Sequence, residues 1–154
     1  MSKEMRRQDR RLPERNALTL LNRGEYGVLS TADRDGIPYG VPMNYVYLDG
    51  AVYLHCALEG HKLDNIACQD QVSFCIVGKV EVLPHKFSIL YESVIIRGQA
   101  TEVKGKAKER ALLALVEKFT GEYMEKGRKY MAMKQDNCRV YKIIVHNITG
   151  KASK

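Results

Sequence analysis

The residues best suited to chemistry fall in one short run, Tyr53-Leu54-His55-Cys56-Ala57-Leu58-Glu59-Gly60-His61-Lys62-Leu63-Asp64-Asn65-Ile66. A strand-like apolar stretch ends there, the chain turns at Gly60, and a helix is expected to begin with His61 and Lys62. The first turn of a helix presents unpaired N–H groups and a partial positive charge. A lysine and a titratable imidazole added at that point suit a phosphate monoester, and glycine lets the backbone approach it closely. A lysine taken alone is a solvated surface cation by default. The strand, the glycine, the His-Lys pair and the helix start together favour the anion site. His55 stands where the strand meets this loop, and its titration near neutral pH suits proton delivery; the competing reading is a strand histidine hydrogen-bonded in the sheet wall. Asp64 and Asn65 are expected at solvated helix positions, and His85 and His146 are given no role.

Metal chemistry is not expected. His55 and His61 lie six positions apart across a loop with no third ligand implied. Cys56, Cys68, Cys75 and Cys138 form no C-x-x-C and no paired zinc spacing. They read as reduced, mostly buried thiols of a cytoplasmic protein.

The elements that must position this run alternate in period. Apolar spacing with Pro13 near its start and Gly24 at its end predicts a helix over 13–22. Six strands are expected over 26–31, 37–47, 51–57, 71–82, 91–103 and 139–148. Asp35-Gly36 and Asp49-Gly50 are hairpin turns. Pro38 and Pro42 put parts of the second strand at an edge or bulge, and Gly78 and Gly98 mark breaks or bends in later strands. Helices are expected over 62–68, 105–119 and 122–133. Hairpin-joined strands are antiparallel, and six of them in a short chain close most simply into a small barrel. The fold class is therefore mainly β, a six-stranded antiparallel barrel with peripheral helices.

With 154 residues, 45% of them hydrophobic, the chain is expected to form one domain over 1–154. Residues 1–12 read as a flexible or partner-crossing arm. The N-terminus is charged from its start and has no apolar core segment, so a secretory signal is not expected. No apolar run reaches the ~20 residues of a membrane helix. The net charge of +7 comes from scattered residues apart from Arg6, Arg7, Arg10 and Arg11. No nucleic-acid module frames them, so the charge is read as attraction for a phosphorylated cofactor or anionic substrate.

Several ordered blocks carry a family resemblance: Glu25-Tyr26-Gly27-Val28-Leu29-Ser30-Thr31, Val41-Pro42-Met43-Asn44-Tyr45-Val46-Tyr47, His55-Cys56-Ala57-Leu58-Glu59-Gly60-His61-Lys62, Tyr91-Glu92-Ser93-Val94-Ile95 and Ile148-Thr149-Gly150-Lys151. In these blocks the chain resembles the pyridoxamine 5′-phosphate oxidase-like split-barrel flavoproteins, and within them the nitroimidazole-resistance branch. The resemblance implies FMN and a homodimer with flavin sites at the subunit interface. It implies that the backbone of Val41, Pro42, Met43, Asn44, Tyr45 and Val46 lines the flavin ring and ribityl chain, with Asn44 a candidate partner for the flavin edge. His55 and Cys56 would lie beside the flavin, His61 and Lys62 would grip its phosphate, and Ser93 would reach the cofactor, commonly from the partner subunit. His55 is the candidate catalytic residue. The C-terminal segment that grips pyridoxamine phosphate in the oxidase branch has no counterpart, and tryptophan is absent, so vitamin B6 oxidation is not expected. The implied function is FMN-dependent reduction of small electron-poor aromatics such as 5-nitroimidazoles, with NAD(P)H a candidate electron donor. The alternative is a non-catalytic flavin-binding or electron-transfer protein. Related barrels hold haem or deazaflavin, which leaves the cofactor open among these.

Overall fold

The computed structural model describes residues 3–154. Its elements run β1 (Arg11–Leu12), α1 (Glu14–Arg23), β2 (Tyr26–Ala32), β3 (Pro38–Asn44), β4 (Val46–Leu48), β5 (Ala51–Cys56), α2 (His61–Cys68), β6 (Gln71–Leu83), β7 (Ser88–Val103), α3 (Gly105–Thr120), α4 (Met124–Lys134) and β8 (Arg139–Ser153). All strand pairs are antiparallel, in the order β3-β2-β6-β7-β8-β5-β4, with β1 added to β8. The two ends of this order, β3 and β4, are consecutive in the chain. The sheet therefore curls round on itself and is joined by the covalent chain at Tyr45, not by a ladder between β3 and β4.

This junction corrects the expectation of one strand over 37–47. The first part of that segment pairs with β2 and the second with β5. The ladder breaks between the two parts at Tyr45. This division makes seven strands of the expected six, and the short β1 is an eighth. Tyr45 sits at the break with its side chain fully buried, and its hydroxyl donates to the Leu21 carbonyl of α1. Its ring meets Phe74 edge-on, with centroids 5.1 Å apart. Gly24, which ends α1, has to be a glycine because a Cβ there would run into the Tyr45 hydroxyl and Ile76.

Local chemistry explains the remaining turns. Asp49 and Gly50 both have positive φ, as a two-residue hairpin requires. The Asp33 carboxylate accepts from the N–H groups of Asp35 and Ile37 and closes the β2–β3 turn. The bend anticipated at Gly78 is a register shift between Val77 and Val80, and the one at Gly98 is a shift between Arg97 and Gly98. A Cβ at Gly98 would collide with the Ile144 carbonyl of β8.

The expected arm over 1–12 is partly anchored on its own chain. Arg11 and Leu12 pair with Lys151 and Gly150, and Leu12 is buried. Residues 1 and 2 lie outside the described residues.

The strands enclose one apolar core built around Leu21, Leu29, Tyr45, Val52, Phe74, Ile76, Val94, Ile96 and Ile143. A second, smaller core forms outside the barrel wall, where Ala111, Leu112 and Leu115 of α3 cover Val46, Val103 and Val140. Among the described residues no helix is long and apolar enough to cross a membrane.

Candidate functional site

The start of α2 carries the site. Gly60 caps it with a φ of 154° and has open space where a side chain would project. The Gly60 carbonyl accepts from the N–H groups of both Leu63 and Asp64, at 3.1 Å each. That leaves the N–H groups of His61 and Lys62 without a partner among the described residues, as the first turn of a helix must. Lys62 is half-buried and forms no ion pair among the described residues. A lysine at a helix start with two free amides, and with no carboxylate paired to it among the described residues, has the chemistry to take an anion.

Two contacts lock α2 to the barrel. Asn65 is buried, and its Nδ2 donates to the hydroxyl of buried Thr31 in β2 at 3.0 Å. The expectation of a solvated Asn65 is thereby corrected: Leu63, Asn65 and Ile66 all lie on the buried face of α2, while Asp64 is exposed as expected. The His61 ring stacks on Tyr39 of β3, with centroids 4.0 Å apart and planes 24° off parallel. Asn65→Ala should lower stability by about 1–2 kcal/mol, since it removes a buried hydrogen bond and strands the Thr31 hydroxyl. Urea denaturation measures this, and Thr31→Val in the same background should add little further loss.

Tyr39 is the residue that sequence reasoning missed. It lies opposite Thr31 in the β2–β3 ladder, so the start of β3 and the start of α2 meet at one point. The alternation that puts Tyr39, Val41 and Met43 on one side of β3 was legible, but the partner of that side was not. From Tyr39 to Asn44 the strand runs about 17 Å at ~3.4 Å per residue. Beyond Tyr39, β3 pairs only with β2, so its other edge presents free backbone N–H and C=O groups. Pro38, Gly40, Pro42 and Asn44 are exposed along it. Asn44 donates through Nδ2 to the Glu25 carbonyl at 3.0 Å, which leaves its own oxygen free.

The other sequence-derived residues divide. Cys56 is buried at the end of β5, and burial pushes its thiol pKa up while the nearby positive charges of Lys62 and Arg139 oppose the rise. Cys56 and Lys62 are thus close. The structure therefore gathers Cys56, His61 and Lys62 with Tyr39. His55, one residue earlier, points to the opposite face of β5. It lines a cavity of about 260 Å³ with Tyr130, Met131 and Lys134 of α4. Desolvation there lowers its pKa, although part of the ring remains exposed. Tyr45 and Val46 turn their side chains into the two cores, and their backbone is engaged as well, the Tyr45 carbonyl by Lys118 and Val46 by its pairing with Tyr53. Ser93 is half-buried on β7, with β2 and β6 between it and β3. All four cysteines are free thiols, but only Cys56 is buried; Cys68 is exposed at the end of α2, so the expectation of mostly buried thiols is corrected. Among the described residues no three His, Cys, Asp or Glu side chains converge to hold a metal.

A larger concavity, about 690 Å³, opens between α1 and the projecting β6–β7 hairpin. None of the sequence-derived site residues lines it, and its Glu92 is already paired with Arg23.

Lys118 of α3 was also missed, because a single lysine in an amphipathic helix gives no signal. Its Nζ donates to the carbonyls of Gly24 and Tyr45, the latter at 2.9 Å, and lies 3.9 Å from the centre of the Tyr45 ring. Burial lowers its pKa to about 8. It ties α3 to the β3–β4 junction and so fixes the far end of the exposed strand.

Comparison with known proteins agrees with this architecture. No curated protein matches the chain at a significant level. A candidate 5-nitroimidazole antibiotic resistance protein from Bacteroides thetaiotaomicron superposes with a TM-score of 0.74 at 22% identity, covering 94% of this chain and 90% of that one. A conserved hypothetical protein from Mycobacterium tuberculosis gives 0.82 at 21% identity, covering 97% and 90%. An FAD-binding protein from Mesorhizobium loti gives 0.69 at 18% identity, covering 94% and 98%. At such identities the likeness is one of fold. The family model described as pyridoxamine 5′-phosphate oxidase matches residues 13–152, nearly the whole barrel with α1 and both cores, and the chain belongs to that family.

Proposed function

We propose that the protein binds FMN along β3, with the phosphate at the start of α2, and uses it to reduce small electron-poor aromatics such as 5-nitroimidazoles. The observation that carries this reading is Lys62, without an ion-pair partner among the described residues, at a helix start where the N–H groups of His61 and Lys62 likewise lack a partner. The Tyr39–His61 stack sets that anion site at one end of an open strand edge. The donor set fits a phosphate monoester, and the free edge from Gly40 to Asn44 offers the backbone groups that a flavin ring and ribityl chain need. The likeness of fold to a candidate 5-nitroimidazole resistance protein supports the substrate class. When bound, the flavin supplies the two-electron chemistry; the chain holds, orients and partly desolvates it. Purification of a yellow protein that releases FMN on denaturation, identified by mass, is the expected result. Release of FAD, which the Mesorhizobium loti protein is named for, would retain the flavin but overturn the choice of FMN. Anaerobic turnover of a 5-nitroimidazole with NADH or NADPH tests the reductase activity, and its absence would leave a flavin-binding or electron-transfer protein.

The same reading includes a homodimer. The outer faces of β2, β6 and β7 expose Tyr26, Val28, Val77 and Ile95, and the β6–β7 hairpin adds Val80, Val82 and Ile89, with Phe87 99% exposed at its tip. An apolar stripe this continuous, next to the open edge of β3, fits a second copy of the chain. Light scattering at micromolar concentration should give about twice the chain mass of 17.5 kDa. A monomer that retains FMN tightly would remove the partner from the site.

His55 is the proposed proton donor, acting through an imidazole nitrogen; its side chain faces α4, across β5 from Lys62 and Tyr39, so the role requires a substrate that reaches the cavity beside α4. Its lowered pKa means that the protonated form is scarce at neutral pH. Turnover should therefore fall as pH rises through a value below 6.5, the reference for histidine. His55→Gln should cut turnover on the order of ten-fold and flatten that limb. The same shift acts on stability with a definite sign. The unfolded chain takes up the proton first, so His55 costs stability as pH drops below 6.5. An unchanged pH profile in a His55→Gln protein that keeps its FMN would end the assignment.

A further inference from the structure

The loop that delivers α2 to the site, residues 57–60, is short and exposed except for Gly60, which is partly covered. Its geometry still has to be held, because the direction of the first free N–H groups of α2 follows from the path of this loop. One side chain from another element grips it. Arg139, the first residue of β8, donates through one terminal nitrogen to the Leu58 carbonyl at 3.3 Å. Its remaining donors form a two-pronged pair with Glu102 of β7, Nε to Oε2 at 3.1 Å and the other terminal nitrogen to Oε1 at 2.8 Å. The Arg139 backbone carbonyl accepts from the Cys56 thiol at 3.6 Å, and Arg139 lies opposite Cys56 in the β5–β8 ladder. The guanidinium is thus fixed from both sides before it reaches the loop. A planar fork engaged twice by one carboxylate has little freedom left.

We propose that the Arg139–Glu102 pair is a positioning clamp for the anion site: it holds the Leu58 carbonyl, and through the loop it sets the start of α2, without itself touching the phosphate. Arg139 is neutralised by Glu102, whereas Lys62 carries no such partner among the described residues. The two cations beside Cys56 therefore divide the work, one binding and one holding. This inference rests on the FMN reading for its binding assay, but not for its structural assay.

Two variants, Arg139→Gln and Glu102→Gln, separate the clamp from a direct ligand. A clamp needs both members, so each variant should weaken FMN on the order of ten-fold, and the double variant should be no weaker than the weaker single. Riboflavin, which lacks the phosphate, should lose much less affinity, so the preference for FMN over riboflavin narrows. If Arg139 were instead a phosphate ligand, Glu102→Gln would free its charge and leave FMN binding unchanged or tighter; that result overturns the proposal. Equal losses for FMN and riboflavin would also overturn it, since they would mean general loosening of the fold. The second measurement needs no flavin. Amide hydrogen exchange on the apoprotein should speed up at residues 57–62 in both variants while the core strands β6 and β7 keep their protection. Unchanged exchange at 57–62 rejects the clamp. If the parent protein binds no FMN but this exchange result holds, the FMN reading fails and the clamp stands.

Discussion

Replacing Tyr45 by alanine is expected to cost about 3–5 kcal/mol of stability, the range for deleting a large buried aromatic side chain. Tyr45 is fully buried and stands at the only covalent joint between the two ends of the sheet order. Its ring packs on Phe74 and beneath the Lys118 ammonium, and its hydroxyl holds the last turn of α1 through Leu21. Removing the ring empties the centre of the main core and releases the contact between α1 and the β3–β4 junction. Tyr45→Phe separates the contributions. It keeps the ring and loses only the hydroxyl bond, and so should cost about 1–2 kcal/mol. Urea denaturation of the three proteins measures both differences. A Tyr45→Ala loss no greater than that of Tyr45→Phe would mean that the ring contributes nothing beyond its hydroxyl, contrary to its packing.

Lys62→Ala is expected to weaken FMN binding by about 1.5–3 kcal/mol, the scale of a hydrogen bond to a charged group. The loss should come with little change in folding stability, because Lys62 is half-buried and has no ion-pair partner among the described residues to strand. Added salt should shrink the difference between parent and variant, since screening weakens the contribution of the cation. Inorganic phosphate should compete with FMN in the parent and less well in the variant. Titration of the apoprotein followed by flavin fluorescence measures the binding, salt and phosphate effects, and urea denaturation measures the stability. An unchanged dissociation constant would place the phosphate elsewhere and remove the observation on which the proposed function rests.

Much of the molecule was determined by the sequence alone. The hairpins at Asp35-Gly36 and Asp49-Gly50, the breaks near Gly78 and Gly98, and the helices ending at Gly24 and beginning near His61 all follow from local rules. Positive φ favours glycine, a missing Cβ marks close approach, and the period of apolar residues marks the face. The strand-glycine-His-Lys order likewise located the start of α2, because a helix start is a property of a few consecutive residues. Tertiary structure decided everything that depends on which distant segments meet. The segment over 37–47 reads as one strand because its apolar alternation is nearly continuous. It is divided at Tyr45, whose side chain enters the main core, with the first part paired to β2 and the second to β5. His55 and Cys56 are adjacent in sequence, yet the two-residue period of a strand sends them to opposite faces, one toward α4 and one toward the core. Tyr39, Lys118 and Arg139 carry no local signal, since each acts on groups far along the chain: Tyr39 on His61, Lys118 on Gly24 and Tyr45, Arg139 on Glu102 and Leu58. The roles of Tyr39 and Arg139 arise when the sheet curls and brings β3, the loop after β5 and the start of β8 to the same end of the barrel, and that of Lys118 when α3 packs over the β3–β4 junction; no short window of residues encodes either long-range meeting.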